Sequence, residues 1–340
     1  MRNVYTPAMA LLAVGFAACG GKEHVDQSVP QTECVVKITP VKDQGESSLC
    51  WAYAMLAMIE SDRIMQGDSV NLSPLYVAYS SLASQAEAYY LTQGSTRITT
   101  RGMSPYALRL ILSQGLTHYD AYNNAGTNFR VVCRKLCAVL TDAVNRRTGM
   151  ERAGKAAAGI LDNGLRPKPK RVYMYGVEYT PVQFAHSVCR PGEYVCLTSF
   201  THKPFGETIT LDVPDNYSGE TFVNVPLDTL QARIDRALRG GRAVCWEGDS
   251  SEPGFSFDEG YARLADDRDS VTQEARQKDF ETFRTTDDHC MEIIGIAHGG
   301  DSTKYYICKN SWGTGNPFGG LMYMSESYLR KKTIAVVMRE

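Results

Sequence analysis

A cysteine at the head of an apolar helix constrains this chain more than any other feature. Residues 41–60 read VKDQGESSLCWAYAMLAMIE. After the polar loop, apolar side chains fall at Trp51, Met55, Met58 and Ile59 with helical spacing, and Asp62 breaks the run. Cys50 therefore opens a helix. The unpaired N–H groups and dipole at a helix N-terminus favour negative charge, so this position suits a thiolate nucleophile. A buried cysteine without chemistry can also start a helix, and the neighbours decide between the two readings. Gln44 lies upstream of Cys50 and Trp51 follows it directly.

A thiol nucleophile needs a group that takes its proton, and histidine suits that task near neutral pH. Of the six histidines, His289 heads the strand-like run His-Cys-Met-Glu-Ile-Ile-Gly-Ile-Ala after a polar loop. His298 is the local rival, but it precedes Gly299-Gly300 and suits a hairpin turn. Downstream of His289 stands Asn310-Ser311-Trp312-Gly313, the most specific short segment of the chain.

The pattern Gln-Gly-x-x-x-x-Cys-Trp at Gln44–Trp51, with His289 and Asn-Ser-Trp-Gly following in that order, resembles the papain-like (C1) cysteine peptidases. The resemblance implies an α+β fold, with a helical half carrying Cys50 and an antiparallel β half carrying His289 and Asn310. It implies Cys50 as nucleophile, His289 as general base and acid, and Asn310 as the residue orienting His289. Trp312 would shield the His–Asn hydrogen bond, and Gln44 with the Cys50 N–H would hold the oxyanion. Arg101-Gly102-Met-Ser-Pro-Tyr-Ala resembles the family's Gly-Gly-x-x-x-x-Ala segment, which makes Gly102 a contact for an extended substrate backbone. The chain departs from the pattern at Ser47, which replaces a common disulfide cysteine, at Ser48-Leu49 before the nucleophile, and at Arg101.

The start of the chain sets the expected compartment. Arg2, the apolar run Ala8–Ala18, and small residues before Cys19 describe a signal peptide over residues 1–18. Phe16-Ala17-Ala18-Cys19 looks like a bacterial lipobox, so Cys19 is the expected lipidation site and residues 19–37 a flexible tether. The expectation is an extracytoplasmic, lipid-anchored protein of the cell envelope, on the periplasmic face or the cell surface. Ten cysteines less Cys19 leave nine, an odd count that suits a free Cys50; the remaining eight cannot be paired from sequence. The net charge of −2, without any basic cluster, argues against a nucleic-acid surface. No C-x2-C pair suggests zinc, and no cofactor is implied.

Cys50 and His289 are 239 residues apart, well beyond the roughly 130–150 of papain-type sequences. The excess is assigned to a large insertion at about 123–285 within a peptidase domain spanning 38–340. It carries an amphipathic helix (Val132, Leu136, Val139, Ala143), a strand Val172–Tyr175, a Thr180-Pro181 helix cap, a helix near 227–239 and a strand Ala243–Gly248. A start too short for an inhibitory propeptide, Tyr179-Thr-Pro, His202-Lys-Pro-Phe and Trp246-Glu-Gly-Asp look like the bleomycin hydrolase / aminopeptidase C branch. The chain stops 30 residues after Asn310, without the C-terminal arm that makes that branch aminopeptidases, so internal cleavage is also expected to be open. The expected function is hydrolysis of peptide bonds in peptide or protein substrates, as an aminopeptidase or an endopeptidase. The alternatives are a catalytically inactive peptide-binding lipoprotein of the same fold and a hydrolase of a non-peptide amide.

Overall fold

The computed structural model describes residues 29–123, 126–265 and 270–340; the expected signal peptide and Cys19 lie outside them. The first half is helical: α1 (Cys50–Met65), α2 (Pro74–Leu91), α3 (Ser104–Gln114), α4 (Phe129–Asn145) and α5 (Met150–Leu165). Helix α1 is buried along nearly its whole circumference, from Cys50 to Arg63, as a helix enclosed on all sides must be. Ser73 caps α2, its hydroxyl accepting from the Tyr76 N–H with Pro74 in the first turn. Helix α4 buries the expected stripe of Val132, Leu136 and Ala143, while Val139 is only partly covered. Helix α5 lies against α4 and α2 through Ala153, Ala157, Leu161 and Leu165.

A short hairpin follows, β2 (Val172–Met174) with β3 (Val177–Tyr179), then α6 (Pro181–Val188) behind the expected Thr180-Pro181 cap. The cap is a full capping box: Thr180 accepts from the Gln183 N–H and the Gln183 side chain accepts from the Thr180 N–H.

The second half is one mostly antiparallel sheet. Its members are β1 (Gln31–Val35), β4 (Tyr194–Thr198), β5 (Thr208–Thr210), β6 (Thr221–Asn224), β7 (Val244–Gly248), β8 (Phe255–Ser256), β9 (Tyr261–Ala262), β10 (His289–His298), β11 (Lys304–Lys309), β12 (Leu321–Ser325) and β13 (Thr333–Arg339). They run in the order β5-β6-β4-β13-β7-β10-β11-β12-β9-β8, with β1 added on β10. Three more helices pack around it: α7 (Leu227–Arg239), α8 (Gln273–Glu281) and α9 (Glu326–Lys332).

Side-chain alternation gives the sheet two apolar faces. Cys245, Cys290, Ile294 and Val337 meet the helical half, whereas Val244, Trp246, Met291, Ile293 and Val336 pack with Leu230 and Ile234 of α7 and Tyr328 of α9. A buried ion network joins the halves beneath the cleft. Glu60 of α1 accepts from Lys42 at 2.5 Å, and Lys309 lies 3.6 Å from Glu292 and donates to Thr39 at 2.9 Å.

The end of the expected tether over residues 19–37 includes a strand, Gln31–Val35, with Gln31 opposite His298 and Val35 opposite Gly295. Strand β1 passes so close that a Cβ at Gly295 would stand 2.3 Å from the Cys34 carbonyl oxygen, which is why glycine occupies that position. Residues 123–285, expected to hold a large insertion, contribute to both halves of the fold. Helices α4 and α5 extend the helical half, and β7 is a central strand between β13 and β10 with all five residues buried, Glu247 included.

Candidate active site

The cleft forms where the start of α1 meets the start of β10. Leu49 precedes α1 in a non-helical conformation and its carbonyl accepts from the N–H groups of Ala52 and Tyr53. Cys50 is therefore the first residue of the helix, 8% exposed. Trp51 anchors the turn: its indole N–H donates to the Thr100 carbonyl at 2.9 Å and its ring stacks on Tyr106 at 5.6 Å.

His289 opens β10 opposite Gly248 and is 3% exposed. Its Nε2 is 2.9 Å from Asn310 Oδ1, and its imidazole is among the groups that lower the Cys50 thiol's pKa. Asn310 directly follows β11, so the β10–β11 pairing brings the two residues side by side although they are far apart in sequence. The orientation of its amide is fixed by a second bond: Oδ1 accepts from the Ser311 N–H at 2.7 Å, which makes it the oxygen that faces His289. Asn310 is the acceptor here, and the His289 Nε2–H donates. Trp312 covers the pair, its ring 4.6 Å from the imidazole and itself packed edge-on against Phe255 and Phe257. The indole excludes water from the His–Asn bond on one side while keeping one edge exposed.

Gln44 belongs to the same wall. Its N–H donates to the Ser311 carbonyl at 2.8 Å, its Oε1 accepts from the Ser311 hydroxyl at 2.6 Å, and its Nε2 donates to the Ser47 carbonyl at 2.6 Å. An amide nitrogen carries two hydrogens, so one donor remains after the bond to Ser47. Ser311 has no role in the sequence reading, yet it locks the glutamine amide in one orientation. Its place inside the Asn-Ser-Trp-Gly segment was the only available signal.

Gly102 lies on the other wall, before α3. A Cβ there would stand 3.0 Å from the Trp51 ring, so packing against that ring favours glycine separately from any substrate. Arg101 ties this wall to the opposite half. Its Nε donates to Asp215 at 2.6 Å and its guanidinium to the Asp287 carbonyl at 3.3 Å. A cavity of about 570 Å³ extends away from Arg101, lined by Tyr106, Arg109, Asp215 and Tyr217 among others.

The electrostatics favour a thiolate at Cys50. A hydrogen bond from Cys290 and then the bond and charge of His289 hold the Cys50 thiol well below its ordinary value, against the opposing effect of burial. Burial pushes the Asp215 carboxyl up to about 6 despite the Arg101 bond, and pushes Asp287 up as well. Glu247, wholly buried on β7, is driven well above the carboxylate range by burial, which keeps a second negative charge away from Cys50. The sequence reading missed Asp215, Asp287, Glu247 and Cys290, since each reaches the cleft only through strand register or a loop crossing from elsewhere. The nine described cysteines are all free thiols. Among the described residues no group of three or more His, Cys, Asp or Glu side chains is arranged to hold a metal ion, and no helix is long and apolar enough to cross a membrane.

The structure is similar to that of PepW from Lactobacillus rhamnosis, with a TM-score of 0.70 at 16% identity, covering 92% of this chain and 82% of that one. A chain from a study of the mite allergens Blo t 1 and Der p 1 is also similar, at 16% identity and a TM-score of 0.47, covering 94% of this chain and 74% of that one. No curated protein matches the sequence. Residues 168–340 match the Peptidase C1-like family, a segment that contains His289 and Asn310 but neither Cys50 nor Gln44. That match spans just over half of the 340 residues, and the chain belongs to the Peptidase C1-like family, with a papain-like α+β fold.

Proposed function

We propose that this C1-family chain hydrolyses peptide bonds through Cys50, His289 and Asn310, with Gln44 as an oxyanion donor. The observation that carries the reading is the convergence of three segments: Cys50 at a helix start, His289 lowering its thiol pKa, and Asn310 2.9 Å behind His289. In this mechanism the Cys50 sulfur attacks the scissile carbonyl, and the remaining Gln44 N–H and the Cys50 backbone N–H receive the oxyanion. His289 protonates the departing amine and then takes a proton from the water that cleaves the thioester. Asn310 holds the imidazole edge toward Cys50, and Gly102 contacts the substrate backbone. Trp312 keeps water from the His–Asn bond.

The chain sits nearest to the bleomycin hydrolase / aminopeptidase C branch in this reading, supported by Tyr179-Thr-Pro, His202-Lys-Pro-Phe and Trp246-Glu-Gly-Asp. Its place is the cell envelope, held by lipid on Cys19, a reading that rests on residues 1–19 alone. Metabolic labelling with a fatty-acid probe, lost in Cys19→Ala, tests the anchor. For the chemistry, a peptidyl epoxide probe mapped by mass spectrometry is expected to label Cys50 selectively and to lose most of that labelling in His289→Ala. Labelling of Cys50 no faster than of other accessible cysteines would overturn the catalytic assignment. Comparing amino-free with amino-blocked dipeptide reporters separates aminopeptidase from endopeptidase action.

A further inference from the structure

In the mechanism above the amine departs at His289, under Trp312, so the acyl part of a substrate runs the other way, along Gly102 beside Trp51. A loop crosses that end of the groove. Residues 211–220 join β5 to β6 at the sheet edge and reach the helical half. There the Tyr217 hydroxyl donates to the Arg101 carbonyl at 3.1 Å, its ring meets Tyr106 edge-on, and Glu220 pairs with Arg109 of α3 at 2.7 Å. Buried Asn216 braces the loop from within, donating to the Leu211 and Glu220 carbonyls and accepting from the Glu220 N–H, each at 2.9 Å.

Asp215, in the middle of this loop, meets both walls. Arg101, next to Gly102, donates through Nε to Asp215 Oδ1 at 2.6 Å and through its guanidinium to the Asp287 carbonyl at 3.3 Å. The Asp215 N–H donates to Asp287 Oδ2 at 2.8 Å, and Asp287 lies just before His289. A side chain of the Gly102 wall is thus bonded across to the His289 wall. The Arg101 side chain is 45% exposed over buried Asp215 and Asp287, so the crossing lies at the surface of the groove and not in the core. The cavity of about 570 Å³ is lined by Arg101 and Asp215 but by neither Cys50 nor His289, so the pair stands between it and the nucleophile. Arg101 also occupies the position where the family pattern has glycine, which has no side chain to make such a crossing.

We propose that the Arg101–Asp215 pair closes the acyl side of the groove, so that this chain works from the amino end of peptides, with Asp215 receiving the substrate's free ammonium. Charge favours that occupant: the crossing holds one cation, Arg101, against the two carboxyl groups of Asp215 and Asp287, which leaves a place for one more positive charge. Arg101 takes Asp215 Oδ1, and among the described residues no hydrogen bond reaches Oδ2. An ammonium there offsets the burial that otherwise opposes charge on this carboxylate. An acylated terminus brings no charge and more bulk to the same place. The stop is built from a sheet-edge loop of this chain and needs no C-terminal arm.

This inference rests on the peptidase reading, and its test keeps the two apart. The full chain is given one unstructured peptide in two forms, amino-free and amino-acetylated, and the products are followed by mass spectrometry. Cys50 alkylation and thermal melting are measured alongside. Wild type is expected to shorten the free form from its amino end and to cut the acetylated form more slowly by about 10- to 150-fold, the size of a bond to a charged group. Asp215→Asn keeps the side chain's size and is expected to bring that ratio to within about threefold of one, chiefly through a raised KM for the free form. Arg101→Gly, which supplies the family's residue, is expected to speed internal cleavage of the acetylated form. Because the two forms are compared within one variant, a change in folding or in the nucleophile cancels from the ratio. An acetylated peptide cut by wild type as fast as the free one overturns the proposal, as does an Asp215→Asn ratio equal to that of wild type. If neither form is cut and Cys50 is alkylated no faster than other accessible cysteines, the peptidase reading itself falls and takes this one with it.

Discussion

Removing the Asn310 side chain tests the site most directly, because its contribution can be worked from the structure. Asn310 and His289 are 2% and 3% exposed, and their 2.9 Å bond lies under Trp312. During acylation the imidazole carries a positive charge, so the Asn310 oxygen accepts a charge-assisted bond. A bond to a charged group contributes roughly 1.5–3 kcal/mol, and at about 1.4 kcal/mol per decade the loss corresponds to about a 10- to 150-fold fall in kcat/KM. Asn310→Ala also deprives the Ser311 N–H of its acceptor, which lets the Gln44 wall shift and places the expectation at the upper end of that range. The assay is hydrolysis of a fluorogenic peptide under kcat/KM conditions, run beside the alkylation rate of Cys50. Asn310→Asp keeps an acceptor for both N–H groups and is expected to recover most of the loss. Activity of Asn310→Ala within threefold of wild type, in a protein that melts normally, would refute the orienting role.

Three further outcomes follow from the same geometry. Gln44→Ala removes one oxyanion donor and should lower kcat by about 10²- to 10³-fold, while Cys50 alkylation, which forms no oxyanion, stays within about twofold of wild type; a parallel loss of both would mean that Gln44 supports the thiolate instead. Gly102→Ala puts a methyl 3.0 Å from a Trp51 ring already held by Thr100 and Tyr106, so a lower melting temperature from ~1–3 kcal/mol of overpacking and a raised KM are expected, and unchanged values of both would contradict the packing. Asp62 of α1 is buried, and burial pushes its carboxyl up to about 7, with the Arg339 charge opposing. The folded state then binds its proton more tightly than the unfolded chain, so this group lowers stability as pH rises from about 4 to 7. Asp62→Asn should therefore stabilise the protein by ~2–4 kcal/mol at pH 8 and by much less at pH 5 in denaturant titrations; an equal effect at both pH values would exclude the linkage.

Much of the secondary structure was readable from short segments because local rules govern it. The helix opened by Cys50, the Thr180-Pro181 cap, the 227–239 helix and the run that became β7 all follow from apolar period, capping chemistry and strand propensity, which act over a few residues. His289 and Asn310 were legible as a pair because a strand, a turn and a second strand place them side by side once β10 meets β11. The place of residues 123–285 in the sheet was not legible. Nothing within residues 123–285 states that β7 will lie between β13 and β10, since strand order depends on which apolar face is covered by α1 and which by α7 and α9.

The sequence by itself determined the α+β class and pointed to Cys50, His289 and Asn310 as the candidate nucleophile, base and orienting partner, because each is written in residue types at fixed local spacing. Only the tertiary structure decided what surrounds Cys50. Cys290, Cys245, Ser104 and Glu247 come from two strands and a helix brought to one point by register and side-chain alternation, and Gln44 takes its orientation from Ser311, 267 residues away. These contacts are non-local, so read along the chain the same residues are one serine, one glutamate and two thiols, and even Cys290 beside His289 carries no local sign of what it packs against.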